Sequence, residues 1–340
     1  MIIFFMVLVC LIGATNIIIG STLTTVWELL FALVTYQLLS VFSQYNLSDS
    51  KEVSFLSRIF KQNNKPSTNP GREFENQVVI VTGASSGIGR ACALEFARRG
   101  ARVALAARTK ERLEETKQLI VQQGGTALVV PTDVRKIEDC ENLINKTLEA
   151  FGRIDVLINN AGVSMRAKFE DLDLDVIRDI MDINFFGTVY CTKFALPHIL
   201  KNKGTIVGIS SISGIAPLPG RTGYTASKHA MDGFLNTLRL ENLDSGLNVL
   251  VVHPGFTASN IRQTALTQDG DQQGKSPRDE SKMMTPEEVA EVIAKAVIKR
   301  EKDLVLTGEG KLVVWLRRYF PSLTDRIILY EMKKEPDSPV

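Results

Sequence analysis

Residues 78–89 read "VVIVTGASSGIG": an unbroken apolar run ends at Thr82, and three glycines and two serines follow. A run of Val and Ile with no polar alternation is a strand buried on both faces, and such strands belong to parallel sheets covered by helices. The turn after it is nearly free of side chains. Free backbone N–H groups at a helix start, together with the helix dipole, attract an anion, and bulky side chains there would keep a diphosphate away. In this reading Gly83 permits the tight turn, Gly87 the close approach and Gly89 the packing of helix on strand, with Ser85, Ser86 and Ile88 lining the same turn.

Outward from that stretch, apolar runs alternate with helical patterns. Strands are expected at 78–82, 102–107, 127–131, 154–159, 204–210, 248–253 and 303–306. Helices are expected at 87–99, 110–123, 137–151, 176–200, 224–243 and 286–299. Strand–helix alternation with right-handed crossovers gives an α/β fold, a doubly wound parallel sheet of Rossmann type in a single domain. The polar segment 264–284 reads as a long loop, and loops of that length serve as lids or substrate loops.

The spacing in the turn is GxxxGxG. It resembles the short-chain dehydrogenase/reductase family, whose cofactor turn is TGxxxGxG, here Thr82, Gly83, Gly87 and Gly89. Further motifs agree. Asn159-Asn160-Ala161-Gly162 is similar to the family's NNAG signature, Tyr224-Thr-Ala-Ser-Lys228 to its YxxxK, and Pro254-Gly255 to its PG pair. Ser211 stands thirteen residues before Tyr224, where the family has its catalytic serine, and Asn184 in "MDINFFG" matches its helix asparagine. The resemblance covers about residues 76–307.

It implies a catalytic set of Asn184, Ser211, Tyr224 and Lys228. Tyr224 and Lys228 are four apart on an expected helix and so share a face. A nearby ammonium favours a phenolate, so Lys228 is expected to lower the Tyr224 pKa and let it exchange a proton with a carbonyl oxygen. Ser211 is expected to hold that oxygen, with Ser210 and Ser213 as rivals. In the family the asparagine holds a water that connects the lysine to solvent. The implied cofactor contacts are Gly83, Ser85, Ser86, Gly87, Ile88, Gly89, Arg108, Asp133, Asn160, Ala161, Gly162, Tyr224, Lys228, Pro254, Gly255 and Thr257. Ser259 rivals Thr257 for the carboxamide contact. A preference for NADP(H) over NAD(H) follows from Arg108. It lies nineteen residues past Gly89, where an NAD enzyme wants a carboxylate, and a guanidinium suits a 2′-phosphate. Asp155 and the three histidines read as structural, and no residue spacing calls for a metal.

Between Met1 and Ser48 the only charged side chain is Glu28. Two apolar runs, 1–20 and 23–42, are each long enough to cross about 30 Å of hydrocarbon. Residues 1–44 are therefore expected to be a membrane anchor of one or two transmembrane helices, 45–75 a polar linker, 76–307 the catalytic domain and 308–340 an amphipathic extension. Lys51, Arg58, Lys61, Lys65 and Arg72 follow the second run and place the catalytic domain on the cytosolic side. The expected partners are a lipid bilayer through the N-terminus and a small carbonyl or alcohol substrate, lipophilic in keeping with a tether. The family also implies a homo-dimer or tetramer. A net charge of +2 without basic clusters speaks against nucleic acid. The tail 311–332 interleaves apolar and basic residues and reads as an interfacial helix, a pocket lid or a helix packed on its own domain. Two other functions fit the motifs less well: an epimerase or dehydratase that uses the same fold with a transient hydride transfer, and a catalytically silent membrane scaffold.

Overall fold

The computed structural model describes residues 71–276, 280, 283–335 and 338–340. The expected anchor and most of the linker lie outside the described residues. Among the described residues no helix is long and apolar enough to cross a membrane. Phe74, assigned to the linker by its polar surroundings, is packed into the fold: it is 2% exposed and its ring centroid lies 4.6 Å from that of Phe96.

Seven parallel strands form one sheet in the order β3-β2-β1-β4-β5-β6-β7. They are β1 (Val78–Thr82), β2 (Arg102–Ala107), β3 (Thr126–Pro131), β4 (Val156–Asn159), β5 (Thr205–Ile209), β6 (Asn248–His253) and β7 (Asp303–Val305). The helices are α1 (Gly87–Arg98), α2 (Lys110–Gln122), α3 (Ile137–Phe151), α4 (Leu174–Met181), α5 (Gly187–Lys201), α6 (Thr222–Glu241), α7 (Pro286–Ile298), α8 (Gly308–Tyr319) and α9 (Pro321–Lys333).

Side chains alternate across the pleat and define two apolar layers. On one face Val79, Val81, Val103 and Leu105 meet α1, α2 and α7 through Phe96, Leu113 and Ile293. On the other, Ile80, Ala104 and Leu157 meet α3, α5 and α6 through Leu143, Ile199 and Leu235. Strand order reverses between β1 and β4, which opens a crevice at the carboxyl ends of those strands; open α/β sheets bind their ligands there.

Two elements depart from the expected pattern. The long helix expected at 176–200 is α4 and α5 joined by a π-helical turn, Asp182–Phe186. One extra residue in that turn is invisible to a 3.6-residue count. The tail is two helices rather than one, because Pro321 has no N–H to continue α8 and instead starts α9.

Candidate active site

The crevice is built by backbone. Gly83 and Gly87 have φ of +67° and +52°, which side-chain-bearing residues rarely adopt. A Cβ on Gly89 would stand 2.3 Å from the Gly83 carbonyl and 2.4 Å from Asn160 Nδ2, so this glycine is required by the turn itself rather than by the strand behind it. Thr82 and Asn160 lace the switch point together. Thr82 Oγ1 accepts from the N–H groups of Asn160 and Ala161 at 3.0 Å each, and Asn160 Nδ2 donates to the Thr82 carbonyl at 2.9 Å. Ser86 caps α1 with extended backbone but no side-chain bond, and the first turn of α1 has no acid. Its orphan N–H groups are therefore left for an anion.

An open cleft of about 800 Å³ runs from this turn along the sheet edge. Gly83, Ser85, Ser86, Gly87, Ile88, Arg108, Asp133, Asn160, Ala161 and Gly162 all line it. Arg112, in the first turn of α2, lines it as well; Arg108 precedes that helix, so no helical spacing in the sequence linked the two. Asp133 is held by one edge of the Arg135 guanidinium, Nε lying 3.1 Å from Oδ1 and Nη2 2.6 Å from Oδ2, which keeps its carboxyl below the usual carboxylate range.

A second cavity of about 90 Å³ shares Ile88, Asn160, Gly162, Ser259 and Ile261 with the cleft. Ile209, Ser210, Ser211, Tyr224, Lys228, Pro254, Thr257 and Arg262 complete its wall. Ser259 lines both cavities and Thr257 the second alone; Gly89 and Gly255 line neither. A Cβ on Gly255 would instead press on Thr307 and Ile212. Between Ser210 and Ser211 as rivals, Ser211 is the one whose hydroxyl acts on the Tyr224 phenol and lowers its pKa, and Ser213 is buried with its N–H donated to Ser211 Oγ at 3.1 Å.

Lys228 Nζ donates to the Ile209 carbonyl at 2.8 Å and lies 5.8 Å from the Tyr224 ring centroid. Burial pushes the Lys228 ammonium down to about 8. The expected lowering of Tyr224 is reversed in the structure. The phenol sits among Met165, Leu172, Val176 and Ile180, and this burial raises its pKa, opposed by the Ser211 hydrogen bond and by the charge of Arg221. Desolvation disfavours the phenolate more than its neighbours favour it.

Asn184, fully buried in the π turn, spends its amide on protein: Oδ1 accepts from Val163 N–H at 2.8 Å, and Nδ2 donates to the Val163 carbonyl and to Ser227 Oγ. It ties the loop after β4 to α6 one residue before Lys228. Asp155 is structural as expected, accepting from Val78 N–H at 2.9 Å and from Arg153.

The loop 256–274 lies along both cavities, and Arg262 holds it by bonding the Thr257 carbonyl at 2.8 Å and Glu280 at 2.7 Å. Arg262 was not singled out in the sequence, since nothing there marks one arginine in a polar loop as buried. The tail does not line either cavity; α9 packs Ile328 and Met332 on Ala216, beside the segment that carries Ser211.

Residues 77–270 match the model of the short chain dehydrogenase family. The chain belongs to that family. Short-chain dehydrogenases are oxidoreductases that act on carbonyl or alcohol groups with NAD(P), and this chain is such an enzyme. It is 40% identical to dehydrogenase/reductase SDR family member 7B of Rattus norvegicus, over 77% of this chain and 83% of that one. It is 45% identical to 11-beta-hydroxysteroid dehydrogenase-like 2 of Arabidopsis thaliana, over 55% of this chain and 62% of that one. An alcohol dehydrogenase from Thermococcus sibiricus, solved with 5-hydroxy-NADP, superposes with a TM-score of 0.61 at 27% identity, covering 68% of this chain and 95% of the other. A nicotinamide dinucleotide fits what the residues offer: an uncapped helix start, two glycines without room for side chains and a third at positive φ, and a cleft that leads to a phenol.

Proposed function

We propose that this short-chain dehydrogenase is an NADP(H)-dependent reductase of lipophilic carbonyl compounds, tethered to a membrane with its catalytic domain facing the cytosol. The observation that carries the reading is the convergence of Ser211, Tyr224 and Lys228 on a cavity that shares walls with the glycine-lined cleft. NADP(H), when bound, supplies or accepts the hydride.

The chain's own groups do the rest. Ser211 holds the substrate oxygen and Tyr224 donates its proton to that oxygen as the alcohol forms. A phenol raised by burial stays protonated near neutrality, which is the form reduction requires. Lys228 stands by to return a proton to the phenolate left behind. Asn184 fixes α6 against the loop after β4, so that Tyr224 and Lys228 meet the cleft at a set depth.

NADP(H) preference rests on Arg108 and Arg112, which put two guanidinium groups on the cleft wall at the end of β2. A lipophilic substrate is supported by the apolar surroundings of Tyr224, where Met165 and Ile180 pack with Leu266 of the loop. Membrane association is supported by the two apolar runs of the sequence and by α8–α9, where Trp315, Tyr319, Phe320 and Leu323 are each 45–52% exposed beside Arg318 and Arg326. Aromatic and basic residues together suit a bilayer interface.

A cofactor-oxidation screen of the detergent-solubilised chain tests the reading. NADPH consumption with apolar ketones or aldehydes is the expected result. Equal or better use of NADH would refute the cofactor preference. Product formation with no net cofactor turnover would favour the epimerase or dehydratase alternative.

A further inference from the structure

Behind the catalytic pocket lies a cluster of buried polar groups that the reaction above does not use. Tyr224, Lys228 and Asp232 follow one another at four-residue spacing on α6 and all three are buried. Asp232, 9% exposed, turns Oδ2 toward His253 Nδ1 at 3.7 Å, while no hydrogen-bond donor reaches its Oδ1. His253, at the end of β6, also places Nδ1 3.2 Å from the carbonyl of Ser211. Gly214 leaves room for the group: a Cβ there would stand 2.6 Å from Asp232 Oδ2 and 2.7 Å from Ser210 Oγ.

We propose that Asp232 is a positioning residue of the reaction, the buried counter-charge one helical turn along from the Lys228 ammonium, with His253 standing between its carboxylate and the backbone of Ser211. The proposal rests on the reading that Tyr224 and Lys228 exchange the substrate's proton. A lysine alone in an apolar interior loses its proton easily, and a carboxylate nearby opposes that loss. Among the described residues the Asp232 charge also raises the Tyr224 phenol, and the groups that act on Asp232 itself are Lys228 and His229 from α6, His253 from β6 and Ser210 from the end of β5. Burial raises the Asp232 carboxyl, and these four neighbours act against that rise. Asp232, one turn along α6, in turn opposes the desolvation of Lys228. With the carboxylate neutralised, Lys228 gives up its proton at lower pH, and Tyr224 loses the cation that recharges it.

The test uses the full chain in detergent, with NADPH and 4-nitrobenzaldehyde as the probe. Lys228 is titrated directly by NMR of 13C-labelled lysine, its resonance identified by its loss in Lys228→Arg. In Asp232→Asn the Lys228 midpoint, and with it the alkaline limb of kcat/KM, is expected to move down by about one pH unit. Asp232→Glu is expected to bring both back whatever its rate. An unmoved midpoint in an Asp232→Asn protein that still binds NADPH would overturn the proposal. If that variant does not fold, a wild-type midpoint below about 6, in the range of uncompensated buried lysines, overturns it without any variant. Tyr224→Phe run in parallel separates the two ideas. If it turns over the probe normally, the underlying reading fails; if it is inactive while the Lys228 midpoint ignores Asp232, only this inference fails.

Discussion

At the β1–α1 turn, space has been removed until a Cβ on Gly89 has nowhere to go. At the α8–α9 pair, Leu312, Trp315, Tyr319, Phe320, Leu323 and Tyr330 stand largely in the open. Both surfaces belong to one fold, but they are specified differently. The turn is fixed by backbone geometry, so almost any change is felt. The helix pair is fixed by a few inward contacts, Ile328 and Met332 on Ala216, and its outer face is free to vary. Function that depends on the cofactor should therefore be brittle, and function that depends on the outer surface should be graded.

The largest effect is expected at the pocket between them. Tyr224→Phe should cut turnover by about a thousandfold, with NADPH affinity unchanged by fluorescence titration. Near-normal turnover would break the contrast at its centre. Next, Gly89→Val should overpack the turn at a cost of about 1–3 kcal/mol and weaken NADPH binding at least tenfold. Undiminished binding would mean that the turn gives way more easily than its contacts indicate. Arg108→Ala combined with Arg112→Ala should lower the preference for NADPH over NADH by about tenfold in kcat/KM, with NADH use little changed. The smallest effect is expected at the helix pair. With Trp27→Phe, Trp315 is the one tryptophan left, and its emission in vesicles should be quenched by lipids brominated near the head groups. Quenching by aqueous iodide instead would show that this face stays in water. Leu323→Gln should weaken the bromolipid quenching and leave turnover of a water-soluble aldehyde unchanged.

The same contrast explains what could be read from the sequence. The strands, their parallel order and the glycine turn are written in local runs, because buried Val/Ile strands and side-chain-free turns leave no alternative composition. The join at Phe320–Pro321 had a signal in the proline, which the apolar pattern on both sides outweighed. For Thr82 the motif marked the position but not its bonds, and Arg262 and Asp232 had no signal at all. Each gains its place from partners 78, 18 and 21 residues away in sequence, namely Asn160, Glu280 and His253, and no local pattern reports a distant partner. The direction of the Tyr224 shift was missed for a related reason. Spacing names the lysine beside the phenol, but only packing shows how much apolar surface encloses it.

The π-helical turn Asp182–Phe186 has a consequence for how this chain can change over time. It is one residue longer than the helix around it needs, and Asn184 sits in the surplus. Deleting one residue there would restore the ordinary turn and leave the two flanks in nearly the same register, because the wider turn already absorbs the surplus. Ile180 and Cys191 would stay inside, but Asn184 would be drawn off Val163 and Ser227. A lineage that carries this irregularity therefore keeps it for the sake of one amide, since the apolar core would survive its loss.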